Sequence, residues 1–306
     1  LVNADLTVPD TPGTTIVNGT VTASDIILLG DTVGVVSSVL DASGGGTIRI
    51  GGSYQGNGPL PNAQLTYVDA DSVVNASATE LGDGGEIIVW SDGTTHALGQ
   101  FLVRGGTAGG NGGLVETSGL RGLTLGDSPD ISAPLGTAGE WLIDPFDIVI
   151  SNAGGDNGFD PANPFVAIAS PAQLNVSTLV EALGAGGTVR VTTGSEGTET
   201  GNITLDSNLL FFIDGEAELS LEAAGSIFIN REIRPNDSSG PLNINLLADT
   251  DNTGNGQVVF DNQNAEPNAI IDTAGGNLTV VANSTTLTGV ADTSAIILAA
   301  NDDITT

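Results

Sequence analysis

The side chains that could do chemistry in this 306-residue chain are almost all carboxylates. It has 37 acidic residues, 6 basic residues, a single His and no Cys or Met. Disulfides and thiolate metal sites are therefore excluded, and a nucleophilic triad could use only His96. His96 lies between two predicted strands without a basic residue nearby. We interpret it as a surface turn residue without a catalytic role.

Three pairs of carboxylates have the spacing that a glycosidase could use. Residues two apart share one face of a strand, and glycosidases place two carboxyl groups roughly 5 to 10 Å apart. The chain has no Lys, however, and its net charge of -31 repels acidic polysaccharides. We therefore expect no enzyme, and keep a polysaccharide lyase or glycosidase as an alternative. The pairs are Asp69 with Asp71, Glu216 with Glu218, and Asp249 with Asp251.

Two acidic turns carry oxygen ligands of the kind that Ca²⁺ binds. Asp249–Asn255 resembles the opening of an EF-hand loop, but Phe260 occupies the position that needs a bidentate Glu. Asp156–Asp160 is the second turn. Acidic turns are common on solvated surfaces, so we predict no cofactor and no metal site, and we keep calcium binding as an alternative.

The scarce basic residues limit the partners of this chain. Arg231 and Arg234 form the one basic cluster, and we expect them to pair with acids such as Glu232. A protein that binds nucleic acid directly neutralises phosphates with many Lys and Arg residues. We therefore predict no nucleic-acid partner, and no apolar run approaches the length of a membrane span.

The elements that must position these residues recur along the chain. A Gly is followed by alternating apolar and polar residues at a mean spacing of roughly 26 residues, which is typical of stacked repeats. The alternation predicts parallel strands and a core wall of small aliphatic side chains. The residues expected there are Ile48, Ile50, Ile88, Val189, Val191, Ile203, Ile227, Val258 and Leu278.

This pattern predicts an all-β fold, a right-handed parallel β-helix formed by residues 1–306 as one continuous rod. Adjacent strands about 4.8 Å apart give a rod on the order of 60 Å long. Residues 151–177 are predicted to form a loop insertion. A short capping helix is expected over residues 178–183, with Thr178 as its N-cap and Glu181 three residues later. We also expect strands at Asp25–Leu29, Gln64–Val68 and Ala295–Ala299.

Four phrases stand in order within residues 25–150: Leu40–Ala63, Gly82–Asp92, Gly109–Gly119, and Ala138–Pro145 followed by Ile148–Ile150. In these phrases the chain resembles the repeat region of filamentous haemagglutinin-family proteins. These are two-partner-secreted exoproteins of cyanobacteria and other Gram-negative bacteria. The resemblance implies a right-handed parallel β-helix and an adhesive or structural surface role. It assigns no receptor-binding residues.

We accordingly expect an extracellular, secreted or cell-surface fragment of a longer chain. Its predicted function is that of a structural or adhesive rod in adhesion, biofilm cohesion or surface-fibre formation. An alternative is a self-assembling filament subunit that stacks end to end. The expected partners are further β-helix of the same or another copy, surface glycans, and a host or neighbouring cell surface. The absence of Lys, Cys and Met fits exposure to proteases and oxidants.

Overall fold

The computed structural model describes residues 13–152, 172–194, 200–213, 215–236, 239–261, 270–288 and 304–305. Within these ranges the chain consists mainly of short β-strands, with one α-helix and a 3₁₀ turn at Tyr54–Gly56. The all-β prediction is confirmed. The predicted strand at Ala295–Ala299 lies outside the described residues.

The strands are numbered in chain order. The first fifteen are β1 (Thr14–Val17), β2 (Thr20–Thr22), β3 (Asp25–Leu28), β4 (Thr32–Val35), β5 (Val39–Asp41), β6 (Thr47–Ile50), β7 (Leu65–Val68), β8 (Val73–Asn75), β9 (Glu86–Val89), β10 (Thr94–Ala97), β11 (Gln100–Leu102), β12 (Leu114–Ser118), β13 (Gly122–Leu125), β14 (Glu140–Asp144) and β15 (Ile148–Ser151). The others are β16 (Ala172–Asn175), β17 (Thr188–Thr192), β18 (Ile203–Leu205), β19 (Leu209–Phe211), β20 (Ala217–Ala223), β21 (Ile227–Ile229), β22 (Ile233–Pro235), β23 (Leu242–Ala248), β24 (Gln257–Asp261), β25 (Leu278–Val281), β26 (Ser284–Thr288) and β27 (Ile304–Thr305).

Every strand pair in the described part of the chain is parallel. Most paired strands are separated in the chain by other strands, although β15 pairs with the next strand, β16. Each sheet therefore collects strands from distant parts of the sequence. The sheets have the orders β27-β25-β23-β20-β17-β14-β12-β9-β6-β3, β16-β15-β18-β21-β24-β26, β1-β4-β7-β10-β13, β11-β8-β5-β2 and β19-β22.

The period-2 alternation of the sequence sets which face of each strand is buried. In β23, Leu242, Ile244 and Leu246 are buried, and Asn243 and Asn245 between them are half-buried. The parallel register places apolar residues of one strand beside apolar residues of the next. The inward side chains therefore stack in columns, and burying them provides the main driving force for folding.

One continuous apolar core follows from this stacking, and it extends from Ile26 to Val280. All nine predicted core-wall residues are buried, but Ile88 is not part of this core. Ile87 pairs with Ile48 and takes the inward position, whereas Ile88 pairs with Arg49 and Glu116 on the opposite face. Two consecutive Ile residues left the phase of the alternation undetermined in the sequence.

The helix α1 spans Val176–Gly184, which is longer than the predicted range of 178–183. Its N-cap is Asn175, whose side chain accepts a hydrogen bond of 2.8 Å from the Ser177 N–H. Thr178 lies inside the first turn, so the predicted N-cap is wrong. Val176, Leu179, Ala182 and Leu183 are buried and join the core. Asn at the N-cap satisfies a helix N–H as well as Thr does.

The end of the predicted loop over residues 151–177 is also regular structure. β16 pairs in parallel with β15, and α1 follows it directly. Residues 153–171 lie outside the described residues. The strand was missed because its sequence, Ala172–Asn175, has only two apolar positions.

Candidate functional site

Polar and charged side chains of the ten-stranded sheet collect on its outer face. Glu116 on β12 and Arg190 on β17 both pair with Leu142 of β14, so the three residues stand in one column. Two positions further along their strands, Ser118 pairs with Asp144 and Thr192 pairs with Glu222. Because residues two apart share a face, these side chains lie on the same surface.

A loop between β6 and β7 folds over this face and buries Glu116. The backbone N–H of Gln55 donates hydrogen bonds of 3.1 and 3.0 Å to the two carboxyl oxygens, and the Ser118 hydroxyl donates one of 2.8 Å. Gln55 has a φ of 51° to make this contact. Glu116 has 0% exposure, and burial raises its pKa to about 8 despite these hydrogen bonds. Glu116 is therefore mostly protonated at neutral pH.

Trp90 supports the same loop from the sheet side. A Cβ added to Gly56 would lie 2.4 Å from the Trp90 ring, so the loop backbone is in direct contact with the indole. The Trp90 Nε1–H donates a hydrogen bond of 3.0 Å to Asp92, which also accepts one of 2.9 Å from Asn62. The loop is thus held at Gly56 by Trp90 and at Asn62 by Asp92, and Gln55 is the residue next to Gly56.

Asp144 is the second buried carboxyl group. It is 6% exposed, and burial raises its pKa, while the nearby Thr192 hydroxyl and the Arg190 charge act in the opposite direction. Within the described residues, neither Asp144 Oδ1 nor Thr192 Oγ1 has a hydrogen-bond partner of normal geometry. The Thr192 hydroxyl nevertheless lies close enough to Asp144 to lower its pKa, so the two groups are polar partners of each other on this face of the sheet.

Arg190 and Glu222 form a bidentate ion pair beside Asp144. The Arg190 Nε and Nη2 atoms donate to the two Glu222 oxygens at 2.7 and 2.6 Å. Burial acts to raise the pKa of Glu222, but the pairing with Arg190 outweighs it and lowers this pKa. The Ser220 hydroxyl also donates to Glu222, at 2.9 Å. Both charges are thus held in one rigid, mutually neutralising arrangement.

These groups line a cleft of about 260 Å³ that is open to solvent, which we call the outer cleft. Its lining residues are Gln55, Asp144, Arg190, Thr192, Thr193, Gly194, Glu222, Thr250 and Asp251. Glu116 is not among them, since Gln55 covers it. The protonated acid and the ionised Glu222 therefore do not face each other across the outer cleft.

No known family model matches this chain, and no curated protein matches it closely enough to be a relative. The resemblance to filamentous haemagglutinin-family proteins stays a prediction. None of the helices in the described part of the chain is long and apolar enough to cross a membrane.

His96 is not the surface turn residue that the sequence indicated. It lies in β10 with 0% exposure, and it packs edge-on against Tyr67 with 6.1 Å between ring centroids. Burial lowers the pKa of His96 to about 4, so the imidazole is neutral at physiological pH. The residues around His96 are polar, so the strand was not recognised in the sequence. In β10, His96 pairs with Tyr67 on one side and with Thr124 on the other.

Members of the predicted carboxylate pairs are held by neighbouring polar groups. Asp69 accepts hydrogen bonds from the Ser72 hydroxyl and the Ser37 N–H. Glu216 and Glu218 accept from Asn243 and Asn245, at 2.7 and 3.1 Å. None of the residues in these two pairs lines the outer cleft.

The third pair belongs to the turn that resembles an EF-hand loop. Desolvation acts to raise the pKa of Asp249, but hydrogen bonds from the N–H groups of Gly254, Asn255 and Gly256 lower it. The Asp249 carboxylate thereby closes its own turn, while Asp251 reaches the rim of the outer cleft. In the described ranges no group of three or more His, Cys, Asp or Glu side chains could hold a metal ion. The turn at Asp156–Asp160 lies outside those ranges.

The prediction for the basic cluster is confirmed for Arg234, which pairs with Glu232 at 3.7 Å, whereas Arg231 donates a hydrogen bond of 2.7 Å to the Asn230 carbonyl. The outer cleft, by contrast, was missed. A signal for it exists in the recurring phrase, in which Glu116 and Arg190 each stand three residues after a Gly, at Gly113 and Gly187. Aligning the phrases on their Gly residues places these side chains in one column.

Proposed function

We propose that this chain is a segment of a right-handed parallel β-helix rod, of the filamentous haemagglutinin type, that acts outside the cell. The observation that supports the proposal is the ladder of ten parallel strands over one continuous core. Nine spacings of about 4.8 Å give this ladder a length of about 43 Å. A stack of this kind is a stiff scaffold whose turns can carry binding groups.

The proposed role is adhesion, biofilm cohesion or surface-fibre formation. The stiff core would hold exposed turns at fixed spacing along a surface structure. A net charge of -31 would keep neighbouring rods apart in dilute salt and make their contact depend on ions. The composition without Lys, Cys or Met suits a protein that meets proteases and oxidants outside the cell.

Surface labelling of intact cells tests this proposal. Antibody fragments raised against residues 13–152 should label unbroken cells that express the protein, and external protease should remove the label. The same fragments should reduce attachment of the cells to surfaces or to one another. A cytoplasmic marker that stays protected serves as the control. An epitope that is detected only after lysis would contradict the extracellular role.

A second candidate is a filament subunit that stacks end to end. Within the described residues, β1 and β3 each pair with another strand on one side only. Ile16 on β1 is 57% exposed and Ile27 on β3 is 42% exposed. An edge strand with exposed apolar residues favours pairing with another strand. Sedimentation velocity over a range of concentrations should show growing linear species, and a constant monomer would exclude this candidate.

A further inference from the structure

We infer that the Asn57–Gly58 step is a self-modification site, at which the Asn57 side-chain amide is converted to a carboxylate without an enzyme. The inference does not depend on the proposed function. Asn57 and Gly58 are both exposed, in the loop between β6 and β7 that also covers Glu116. Because Gly has no Cβ, its backbone nitrogen can approach the preceding side chain without steric hindrance.

The reaction passes through a cyclic imide and consumes one water molecule. The Gly58 nitrogen attacks the Asn57 Cγ and forms a new C–N bond, while its proton is lost and the side-chain nitrogen leaves as ammonia. Water then opens the ring at either carbonyl, which gives an aspartate or an isoaspartate at this position. The Asn57 ψ of 94° directs the Gly58 nitrogen away from the side chain, so the backbone must rotate before the attack.

Hydrogen bonds decide which Asn–Gly steps of this chain can make that rotation. In the part of the chain that the structure describes, neither the Asn57 side chain nor the Gly58 N–H has a hydrogen-bond partner. Rotation at this step therefore breaks no hydrogen bond of either group. The step at Asn157–Gly158 lies outside the described residues.

The three other described Asn–Gly steps are tied down. In each of them the Gly N–H donates a hydrogen bond, and two of the Asn side chains are held as well. Gly19 donates to Ser38 Oγ at 3.1 Å, Gly112 to the Thr137 carbonyl at 2.9 Å, and Gly256 to the Asp249 carboxylate. Asn18 Nδ2 donates to the Val36 carbonyl at 2.9 Å, and Asn111 Oδ1 accepts from the Thr137 N–H at 3.0 Å.

The modification changes the surface of the loop. It adds one negative charge to the -31 of the chain, in a cleft of about 380 Å³ that Asn57 lines together with Arg49 and Glu86. An isoaspartate also lengthens the backbone by a methylene group, close to the Gln55 N–H that binds Glu116. A chain that is not renewed would therefore gain charge in this loop as it ages.

Peptide mapping of the 306-residue chain tests the inference. Trypsin cleaves after Arg, and the four described steps fall in different fragments, 1–49, 50–104, 105–121 and 232–306. The folded chain and the chain unfolded in guanidinium chloride are incubated in the same mildly alkaline buffer, and mass spectrometry follows the conversion of each amide to an acid. A hydrogen bond that must break slows a step roughly two- to tenfold, so Asn57 should retain the largest fraction of its unfolded rate. Equal slowing of all four steps, or faster conversion of another step in the folded chain, would overturn the inference.

Two variants assign the reaction to the free step. Asn57→Gln should remove the conversion from fragment 50–104, because the longer side chain closes the ring less readily. Ser38→Ala removes the acceptor of the Gly19 N–H, and it should speed the conversion of Asn18 roughly two- to tenfold without changing that of Asn57. An unchanged rate at Asn18 would contradict the role of the hydrogen bonds. Circular dichroism checks folding, and the comparison within the natural chain suffices if Ser38→Ala does not fold.

Discussion

The buried carboxyl group of Glu116 should make the free energy of unfolding depend on pH, and the size of this effect can be calculated. Glu116 has 0% exposure, and burial raises its pKa from 4.5 to about 8. A folded state that holds this proton more tightly than the unfolded state is favoured at low pH. This stability is fully present below the unfolded pKa and is lost as pH rises through the folded pKa.

The magnitude follows from the linkage relation. Each pKa unit corresponds to about 1.4 kcal/mol, so this group lowers the free energy of unfolding by about 2.5 kcal/mol between pH 6 and pH 9. Most of the loss falls between pH 6 and pH 8, and the curve flattens above the folded pKa. His96 acts in the opposite direction, because burial lowers its pKa from 6.5 to about 4 and the unfolded state therefore binds more protons near pH 6. Its contribution is the same in the natural protein and in a Glu116 variant, so it cancels when the two are compared.

The perturbation is Glu116→Gln, which keeps the shape and removes the titrating proton. Urea unfolding, followed by the fluorescence of the buried Trp90 and Trp141, should be measured at pH 6, 7, 8 and 9. We expect the variant to lose about 2.5 kcal/mol less than the natural protein over this range. Glu80→Gln at an exposed turn is the matched control and should follow the natural curve. Parallel curves for Glu116→Gln and the natural protein would refute a protonated Glu116.

Four further predictions follow from the fold. Asn175→Ala should destabilise the chain by about 1 kcal/mol because it removes the helix N-cap, and Thr178→Ala should destabilise it less. Equal losses of stability in thermal unfolding would contradict the assignment of the cap. Gly51→Ala should lower the free energy of unfolding by well over about 1 kcal/mol, because its Cβ would lie 2.1 Å from the Thr66 hydroxyl. Gly44→Ala, also at positive φ but with nothing within 4 Å, measures the backbone cost alone, and equal midpoints for the two would refute the steric argument. Gly51 and Ala63 are joined by a hydrogen bond, so residues 52–62 can be replaced by a two-residue linker. This deletion should expose Glu116 and abolish the effect of Glu116→Gln on the pH dependence of unfolding. An effect that persists would show that the loop does not cause the burial. Side-by-side association, measured by light scattering, should increase with salt because it screens the charge of -31, and scattering that is flat from low to high salt would exclude this repulsion.

The strands and the core could be predicted because they depend on local alternation. In β6 and β17 the apolar residues Ile48, Ile50, Val189 and Val191 stand two apart beside a Gly, and this fixes their inward direction. Alternation fails where two apolar residues are adjacent, and so Ile88 was assigned to the wrong face. The helix was found from its apolar spacing, but its cap depends on hydrogen bonds that the sequence pattern does not contain.

The outer cleft could not be predicted in the same way because it depends on contacts between distant segments. Glu116 is buried by Gln55, which is 61 residues away along the chain. Arg190 meets Glu222 across 32 residues. These distances vary with the length of each insertion, so the position of each residue after its Gly does not show which distant side chains it meets. His96 shows the same effect, since its burial depends on packing between strands rather than on its polar neighbours in the sequence.

The register of the ten-stranded sheet also explains how so acidic a chain tolerates parallel stacking. In-register parallel strands bring equivalent positions to about 4.8 Å, where like charges directly opposite one another are destabilising. The outer column that contains Glu86 avoids this, because acidic and neutral residues alternate along it. Acidic neighbours there are two strands apart, at about 9.6 Å, beyond the screening length of about 8 Å at physiological salt. The column is Glu86, Leu114, Glu140, Thr188, Glu218 and Asn243.

The few basic residues complete this arrangement at places where strands from successive repeats meet. Arg49 on β6 pairs with Glu86 on β9 at 2.8 Å, and Arg190 on β17 pairs with Glu222 on β20 at 2.6 Å. Each pair joins neighbouring strands of the same sheet and neutralises one carboxylate of the outer face. Where the loop at Gln55 removes solvent as well, pairing is not enough for every acid. Glu116 then keeps its proton, and burial raises the pKa of Asp144. The chemistry of this face thus arises from a loop that covers part of a parallel sheet.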